Sequence, residues 1–272
     1  MSEIAWNRYG KAAVRLMKVD RSASSDVVTE LTIDVRLEGD FEAVYEGDNS
    51  ACIATDTMKN TVYGLAREAP IGSAEAFASR IADHFIRRPA VRQVRVSAIE
   101  HIWTRIGAHP HAFVRSGGEQ WTAAVERTSA STIVRAGIGN LIALKTADSA
   151  FSGFPRDRFT TLPDTDDRLL ATAMSAEWTY APGFADYAVR EHVKAALLEA
   201  FAAHRSHSVQ HTLSAMGRAA LDAAAGIVDV TLTLPNRHHL LVDLKPFGLD
   251  NPNEVFVPTD APYGVIEATI RR

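Results

Sequence analysis

The chain has 272 residues, 46% of them hydrophobic and 23% charged, a composition that is normal for a globular protein of one large domain or two ordinary ones. The net charge of −4 excludes the basic surface that nucleic-acid binding needs, and the single cysteine, Cys52, excludes a disulfide framework and favours a reducing compartment. There is no apolar run of membrane-spanning length, no signal peptide and no C-terminal Ser-Lys-Leu address, so we expect a cytoplasmic protein that binds neither membrane nor nucleic acid.

The first half of the chain predicts the order β-β-α-α-β-β. Alternation of apolar and polar residues over 31–37 is typical of a half-buried strand, and Ser73 is a favoured helix N-cap. In chain order the predicted elements are strands over 9–19 and 31–37, an extended return over 41–45, helices over 55–67 and 73–88, a strand over 94–103, and two strands up to 127 that the Gly117-Gly118 pair separates.

The second half predicts the same order again. Its predicted elements are a strand over 133–144, a long loop over 146–167, a strand over 169–180, helices over 184–203 and 208–225, a strand over 227–234, a segment over 239–244 that pairs back, and a last strand over 264–270. A loop of this length in a compact protein is usually functional. Two copies of one unit predict tandem subdomains, 1–130 and 131–272.

These elements indicate the α+β class, with antiparallel sheets that helices cover on one face. The other face of several strands carries arginine, glutamate, threonine and aspartate. If sheets from several subunits joined edge to edge, these polar faces would line a solvated channel, and the closure would remove the exposed strand edges.

The stretch from Ser50 to Tyr63 predicts a joint between a strand and a helix. An apolar run over 51–54 indicates the end of a buried strand, and Thr55 and Asp56 are residue types favoured as helix N-caps. The joint is either a plain cap or a site, because the first turn of a helix attracts negative charge.

The familiar catalytic motifs are missing from the sequence. It contains no GxGxxG, no GxxxxGK[ST] and no GxSxG. Histidines do cluster, at His109/His111 and at His204/His207/His211, but no cysteine and no HExxH pattern accompanies them. We therefore expect core or surface histidines rather than a metal site.

Several polar residues admit two interpretations. Lys11 is either a solvent-facing lysine or a lysine that is desolvated at an interface, where it acts as a base. Arg168 either pairs with a neighbouring aspartate or offers a planar fork to the edge of a flat ligand. Gln210 is either an ordinary first-turn residue or an amide that gives one donor and one acceptor in a plane, and Asn236 alone is an ordinary turn residue.

Taken together, these stretches resemble the urate oxidase (uricase) family. Any one match is weak, but many in the same order are specific. The matching segments are Tyr9-Gly10-Lys11, Ala54-Thr55-Asp56-Thr57-Met58-Lys59-Asn60-Thr61, 101–105, 109–113, Leu144-Lys145-Thr146, 149–162, Asp167-Arg168, Ser208-Val209-Gln210, Leu234-Pro235-Asn236 with His238, and Glu254-Val255-Phe256.

The resemblance implies the tunnelling fold, in which two β-β-α-α-β-β units per subunit join others as a barrel around a channel in a homotetramer. It implies that urate, dioxygen and water give 5-hydroxyisourate and hydrogen peroxide, with no metal or organic cofactor. Urate is flat, electron-rich and anionic, so it can itself give an electron to dioxygen while the protein supplies position and a base.

The resemblance also implies the roles of individual residues. Lys11 and Thr55 form a base relay that His238 joins. Lys11 and Thr55 lie on one subunit, and Phe151, Arg168 and Gln210 lie on its neighbour. The substrate-binding set begins with Arg168 and Gln210 on the urate edge and Phe151 on its face. Leu162 and the backbone of Val209 form the wall of the pocket. Asn236 helps to hold dioxygen or the attacking water, and Asp56 supports the neighbouring substrate contact.

Two other functions remain open for the same architecture. One is a tunnelling-fold pterin enzyme, which would hold its flat ring through a glutamate, and the other is a non-catalytic purine-binding tetramer. Gln210 and Arg168 favour urate over a pterin, whose guanidine-like edge suits a carboxylate.

Overall fold

The structure is a computed structural model that describes residues 3–21 and 24–272, apart from the side chain of Ser116. The chain forms two compact units. The first comprises Met1–Ile138 and Trp178–Ala188, and the second comprises Gly139–Glu177 and Val189–Arg272. Each unit is built from antiparallel strands and a pair of long helices, which is the predicted α+β class.

The first unit has the strand order β1-β2-β3-β4, with neighbours antiparallel. Its elements are β1 (Tyr9–Asp20), β2 (Val27–Gly39), the short helix α1 (Glu42–Tyr45), a 3-10 turn (Asn49–Ala51), α2 (Thr55–Glu68), α3 (Ala74–Ile86), β3 (Val91–Arg105) and β4 (Phe113–Thr128).

One face of this sheet packs against the helices. Leu31, Ile33, Val35 and Leu37 of β2 are fully buried, as their alternation predicts. They belong to one core with apolar residues of α2 and α3, including Phe77. The hydroxyl of Ser73 accepts a hydrogen bond from the backbone N–H of Ala76 (3.1 Å), so the predicted cap of α3 is confirmed.

The opposite face of the same strands carries a buried polar network. Glu30 accepts from the indole N–H of Trp103 (2.7 Å) and pairs with Arg15. His101 contacts Arg115 through Nδ1 and Thr32 through Nε2, each at 2.8 Å. Because arginine only donates, Nδ1 of His101 accepts, and the ring is neutral with its proton on Nε2.

The remaining long strands follow in the order β5-β6-β7-β10, and β5 and β6 each contribute residues to both units. The chain after β4 contains β5 (Thr132–Lys145), β6 (Leu170–Tyr180), α4 (Arg190–Ala203), α5 (Val209–Ala223), β7 (Ile227–Arg237), β8 (His239–Leu241), β9 (Phe256–Pro258) and β10 (Gly264–Arg271), with 3-10 turns at Tyr187–Val189 and Lys245–Phe247. Strand β10 pairs with β7, and β8 pairs with β9 in a separate small sheet.

Four local predictions were wrong. Residues 41–45 form α1 rather than a strand, and the apolar run 51–54 continues a 3-10 turn rather than ending a strand. The turn forms because Asp48 accepts from the N–H of Ser50 (2.9 Å) and Tyr9 from that of Ile53 (2.8 Å). Cys52, which lies in this run, is half-buried.

The other two errors concern strand pairing. The Gly117-Gly118 pair does not divide two strands, because β4 runs through it. His101 pairs with Gln120 and Trp103 with Arg115, so the glycines lie in a bulge of β4 opposite β3. The segment after β7 pairs with β9 instead of folding back, because β10 occupies the neighbouring position on β7.

The order β-β-α-α-β-β does occur in each half of the chain when the short helix α1 and the strands β8 and β9 are set aside. The division into repeats at 1–130 and 131–272 stays a prediction. Among the described residues, none of the helices is both long and apolar enough to cross a membrane.

Candidate active site

The start of β1 holds Lys11 by main-chain contacts. A Cβ atom on Gly10 would lie 2.0 Å from the carbonyl oxygen of Val35, so only glycine permits this approach of β1 to β2. Directly after Lys11 the register shifts in a bulge, where Ala13 has a positive φ of 55° and donates its N–H to Asp34 (2.7 Å). The half-buried Lys11 therefore lies at a fixed irregularity of the strand.

The start of α2 lies close to this strand. Ile53 donates its N–H to the hydroxyl of Tyr9 (2.8 Å), and these two residues precede Thr55 and Lys11 by two positions each. Burial raises the pKa of Tyr9 to about 12, so this hydroxyl stays protonated at neutral pH. One neutral phenol thus ties the Lys11 strand to the helix that begins at Thr55.

Asp56 in the first turn of α2 is held by its own helix. One oxygen accepts from Lys59 (2.5 Å) and the other from Asn60 (2.9 Å). The hydrogen bond and charge of Lys59 are the main reason that the pKa of Asp56 lies below its usual value, and Lys11 lowers it further. The N-cap of α2 is Ala54, which has no capping side chain, so the predicted Thr55 or Asp56 cap was wrong and both side chains are exposed.

In the second unit, the loop between β5 and β6 is closed by a short bridge. Phe151 and Thr165 exchange backbone hydrogen bonds of 2.7 and 2.9 Å. This pairing places Phe151 near Arg168, whose guanidinium carbon lies 5.2 Å from the centre of the Phe151 ring. A second phenylalanine, Phe154, stacks on Phe151 with ring centres 4.8 Å apart and planes 12° from parallel.

Arg168 is half-buried and does not form the ion pair with Asp166 or Asp167 that was its alternative interpretation, since no such pair occurs among the described residues. Its Nε is fully buried and lacks a hydrogen-bond partner within the described part of the chain. Burial also lowers the pKa of Arg168. A buried donor without an acceptor is costly, so this guanidinium is prepared for a ligand.

A cavity of about 360 Å³ in the second unit brings several predicted residues together. Leu162, Arg168, Asn236 and His238 all line it. The carbonyl of His238 accepts from the backbone N–H of Thr259 (2.9 Å), which fixes the chain after β7 at the cavity.

Sequence reasoning missed Arg237 and Asn253, which also line this cavity. Arg237 belongs to the Leu-Pro-Asn-Arg-His run, so its place beside Asn236 was the available signal. Asn253 has a positive φ of 61°, and the Asn-Pro-Asn sequence around it was a turn signal of the same kind.

Val209 and Gln210 lie in the first turn of α5, outside the lining of that cavity. Val209 is buried and Gln210 is exposed, while Ser208 caps the helix by accepting from the N–H of His211 (3.1 Å). Ser206 links this turn to the loop, because its carbonyl accepts from the N–H of Ala150 (2.8 Å), next to Phe151.

The histidine cluster of the second unit is real but does not form a metal centre. The ring of His211 lies 4.3 Å from that of His204 and 5.3 Å from that of His207. Across the described residues, no group of three or more histidine, cysteine or acidic side chains is arranged to hold a metal ion.

The fold is thus an antiparallel α+β fold, and its second unit contains a cavity lined by the planar guanidinium of Arg168 and the amides of Asn236 and Asn253. The family model described as Uricase matches residues 7–126 and 134–267. A uricase from Arthrobacter globiformis is 46% identical over 98% of this chain and 89% of its own length. A uricase from Aspergillus flavus is 35% identical over 100% of this chain and 98% of its own length.

Solved structures agree with the sequence relatives. The crystal structure of uricase from Arthrobacter globiformis has a TM-score of 0.97 at 45% identity, covering 100% of this chain and 96% of that one. A uricase from Bacillus fastidious has a TM-score of 0.84 at 25% identity, over 97% and 93% of the two chains. The chain belongs to the uricase family.

Proposed function

We propose that this chain is a urate oxidase, which converts urate, dioxygen and water to 5-hydroxyisourate and hydrogen peroxide. The observation that carries the proposal is Arg168, a half-buried fork with an unsatisfied Nε beside the ring of Phe151 at a donor-lined cavity. Uricases match the chain over nearly its whole length and supply the reaction class, an oxidoreductase that uses oxygen.

The substrate is held by its edge and its face. Arg168 and Gln210 bind the in-plane oxygens and N–H groups of urate, because a guanidinium and an amide satisfy several such atoms in one plane. Phe151 stacks on the ring, a contact worth about 0.5–1.5 kcal/mol beyond area burial. Leu162 and the backbone of Val209 form the pocket wall.

The reaction needs a base and a position for oxygen. Lys11 and Thr55 remove a proton from urate with His238 in the relay, and the urate dianion then gives two electrons to dioxygen. Dioxygen leaves as peroxide, and water held at Asn236 adds to the oxidised ring. Asp56, pinned by Lys59, supports the adjoining substrate contact.

The assembly is a homotetramer with the tunnelling arrangement, in which sheets of neighbouring subunits join as a barrel. The relay of one subunit then completes the substrate site of another, with no metal or organic cofactor. The polar network on the open face of β2 and β3 supports this arrangement, since such a face suits a solvated channel. A half-buried free thiol at Cys52 supports a cytoplasmic location.

The direct test follows the loss of the ultraviolet absorbance of urate together with the appearance of peroxide. Wild-type protein is expected to show both, and to keep its activity after dialysis against a strong chelator, with metal content checked by mass spectrometry. Arg168→Ala should lose roughly 10- to 100-fold in kcat/KM, the worth of hydrogen bonds to a charged group. Arg158→Ala, an exposed arginine of the same loop, is the matched control.

Two outcomes favour the other functions. Binding of urate without turnover would indicate a non-catalytic purine-binding protein. Turnover of a reduced pterin but not of urate would indicate a pterin enzyme, and activity that returns only with added copper or iron would contradict the cofactor-free reaction.

A further inference from the structure

The loop between β5 and β6 carries two predicted substrate contacts, Phe151 and Leu162, on opposite sides of its turn. It has little regular structure; a bridge between Phe151 and Thr165 closes its base, and a second bridge joins Ser149 to Ser206. The segment beyond the Phe151 bridge contains Pro155 and Pro163 but no strand pairing. Side-chain contacts therefore decide where Leu162 lies and how the ring of Phe151 is held.

Arg156 makes three of those contacts. One guanidinium nitrogen donates to the carbonyl of Leu162 (3.1 Å), and the other pairs with a carboxylate oxygen of Asp164 (3.2 Å). The guanidinium carbon lies 4.9 Å from the centre of the Phe154 ring. A single side chain thus binds three segments of the loop at once.

Asp164 extends the same clamp to the tight turn of the loop. Its other oxygen accepts from the N–H of Gly153 (3.1 Å), which has a left-handed φ of 74°. The turn places Phe154 so that it lies flat against Phe151. A continuous stack runs from Arg156 through Phe154 and Phe151 to Arg168, with spacings of 4.9, 4.8 and 5.2 Å.

We infer that Arg156 is a positioning residue that sets the shape of the urate pocket by fixing Leu162 through its carbonyl and Phe151 through Phe154. This inference rests on the proposed function. Arg156 does not line the cavity, so its effect is indirect. The side chains of Arg156 and Asp164 are 48% and 53% exposed, and exposed ion pairs contribute little to stability. The clamp therefore affects binding far more than folding.

The test compares Arg156→Met with Arg158→Met. Arg158 lies over Phe159 (4.5 Å), and both of these side chains are exposed, so it matches Arg156 in residue type and loop but contacts neither Leu162 nor Asp164. We expect Arg156→Met to raise the KM for urate roughly 10-fold, the size of a lost stacking contact, with kcat changed less than about two-fold. The Kd for xanthine, a planar purine that serves as a binding probe, should rise by the same factor.

Conservative variants distinguish a positioning role of Arg156 from a general loss of structure in the loop. Arg156→Lys keeps the charge but loses the fork, so its KM should lie between those of wild type and Arg156→Met. Asp164→Asn removes the ion pair and keeps an acceptor for Gly153, and its effect should not add to that of Arg156→Met. If Arg156→Met does not fold, the KM and the xanthine Kd of these two variants test the inference instead.

The inference is overturned if the active enzyme shows the same KM and xanthine Kd in the Arg156 and Arg158 variants, or if kcat falls while KM stays constant. If wild type binds xanthine but consumes no urate, the proposed function fails, and the xanthine Kd alone then decides the role of Arg156. Failure of wild type to bind xanthine and to consume urate overturns both.

Discussion

The two units hold their candidate residues in different ways. In the first, Lys11 and Thr55 lie on regular elements, which are fixed by the approach of Gly10 to the Val35 carbonyl and by the hydrogen bond from the Ile53 N–H to the Tyr9 hydroxyl. In the second, the proposed substrate contacts Phe151 and Leu162 lie on a loop, where a backbone bridge to Thr165 holds Phe151 and the Arg156 side chain holds Leu162. Proton transfer requires accurate placement, whereas a surface that grips a flat ligand tolerates adjustment. The proposed proton-handling groups Lys11 and Thr55 are accordingly the ones that lie on regular secondary structure.

The largest expected effect breaks the relay of the first unit. Lys11→Met, Thr55→Ala and the double variant should each lower kcat by a similar factor of ~10²–10⁴, because a relay fails when either member is lost. Steady-state kinetics on urate at saturating dioxygen measures this. Losses that add in the double variant would mean that the two residues act independently.

The next effect tests whether the two regions meet across subunits. Lys11→Ala and Arg168→Ala are each expected to lose most of the wild-type activity. If a two-fold interface builds the site from Lys11 of one subunit and Arg168 of the other, a hybrid pair contains one doubly damaged site and one wholly intact site. Random pairing should then restore about a quarter of all sites, by the symmetry of the pair.

The measurement uses co-expression of the two variants with different tags, purification of the doubly tagged species and an assay of urate loss. A control preparation mixes the separately purified parents immediately before the assay. Hybrids that form yet stay as inactive as either parent would place both residues in a site within one subunit.

The smallest effect concerns stability rather than activity. Burial lowers the pKa of His101, and the charges of Arg115 and Arg15 lower it further. Below the ordinary histidine pKa of about 6.5, His101 binds a proton in the unfolded chain but not in the folded protein. The melting temperature should therefore fall as the pH drops from that value toward the lowered pKa, and should be unaffected by His101 above it.

Replacement by a neutral side chain isolates this contribution. In His101→Gln the decline of melting temperature with falling pH should be shallower than in wild type, while His111→Gln, at an exposed histidine, serves as the control. Parallel slopes in wild type and His101→Gln would show that other groups cause the acid sensitivity.

Local patterns predicted the elements that local physics determines. The buried positions of β2 follow from alternation, the start of α3 from the Ser73 cap, and β10 from its own apolar spacing. The failures depended on distant partners. The turn before α2 forms because Tyr9 binds Ile53 from another element, and the bulge at Gly117-Gly118 depends on the register with β3.

The candidate site, too, was predictable where it depends on residue type and not where it depends on distant contacts. Residue types suggested that Arg168 binds a planar ligand, but its contact with Phe151 depends on the bridge to Thr165, which no periodicity reports. The clamp by Arg156 was missed for the same reason, since Leu162 and Asp164 lie beyond the reach of helix or strand spacing. Long-range contacts in a loop leave no repeat in the sequence.

Gly10 has a consequence for anyone who varies this protein. Alanine there would place a carbon 2.0 Å from the Val35 carbonyl, so β1 would have to move away from β2 and carry the Lys11 amine with it. A library that randomises side chains around Lys11 leaves that amine in place, whereas one added methyl group at its neighbour relocates it. The most mutation-sensitive position near the base is therefore one that has no side chain.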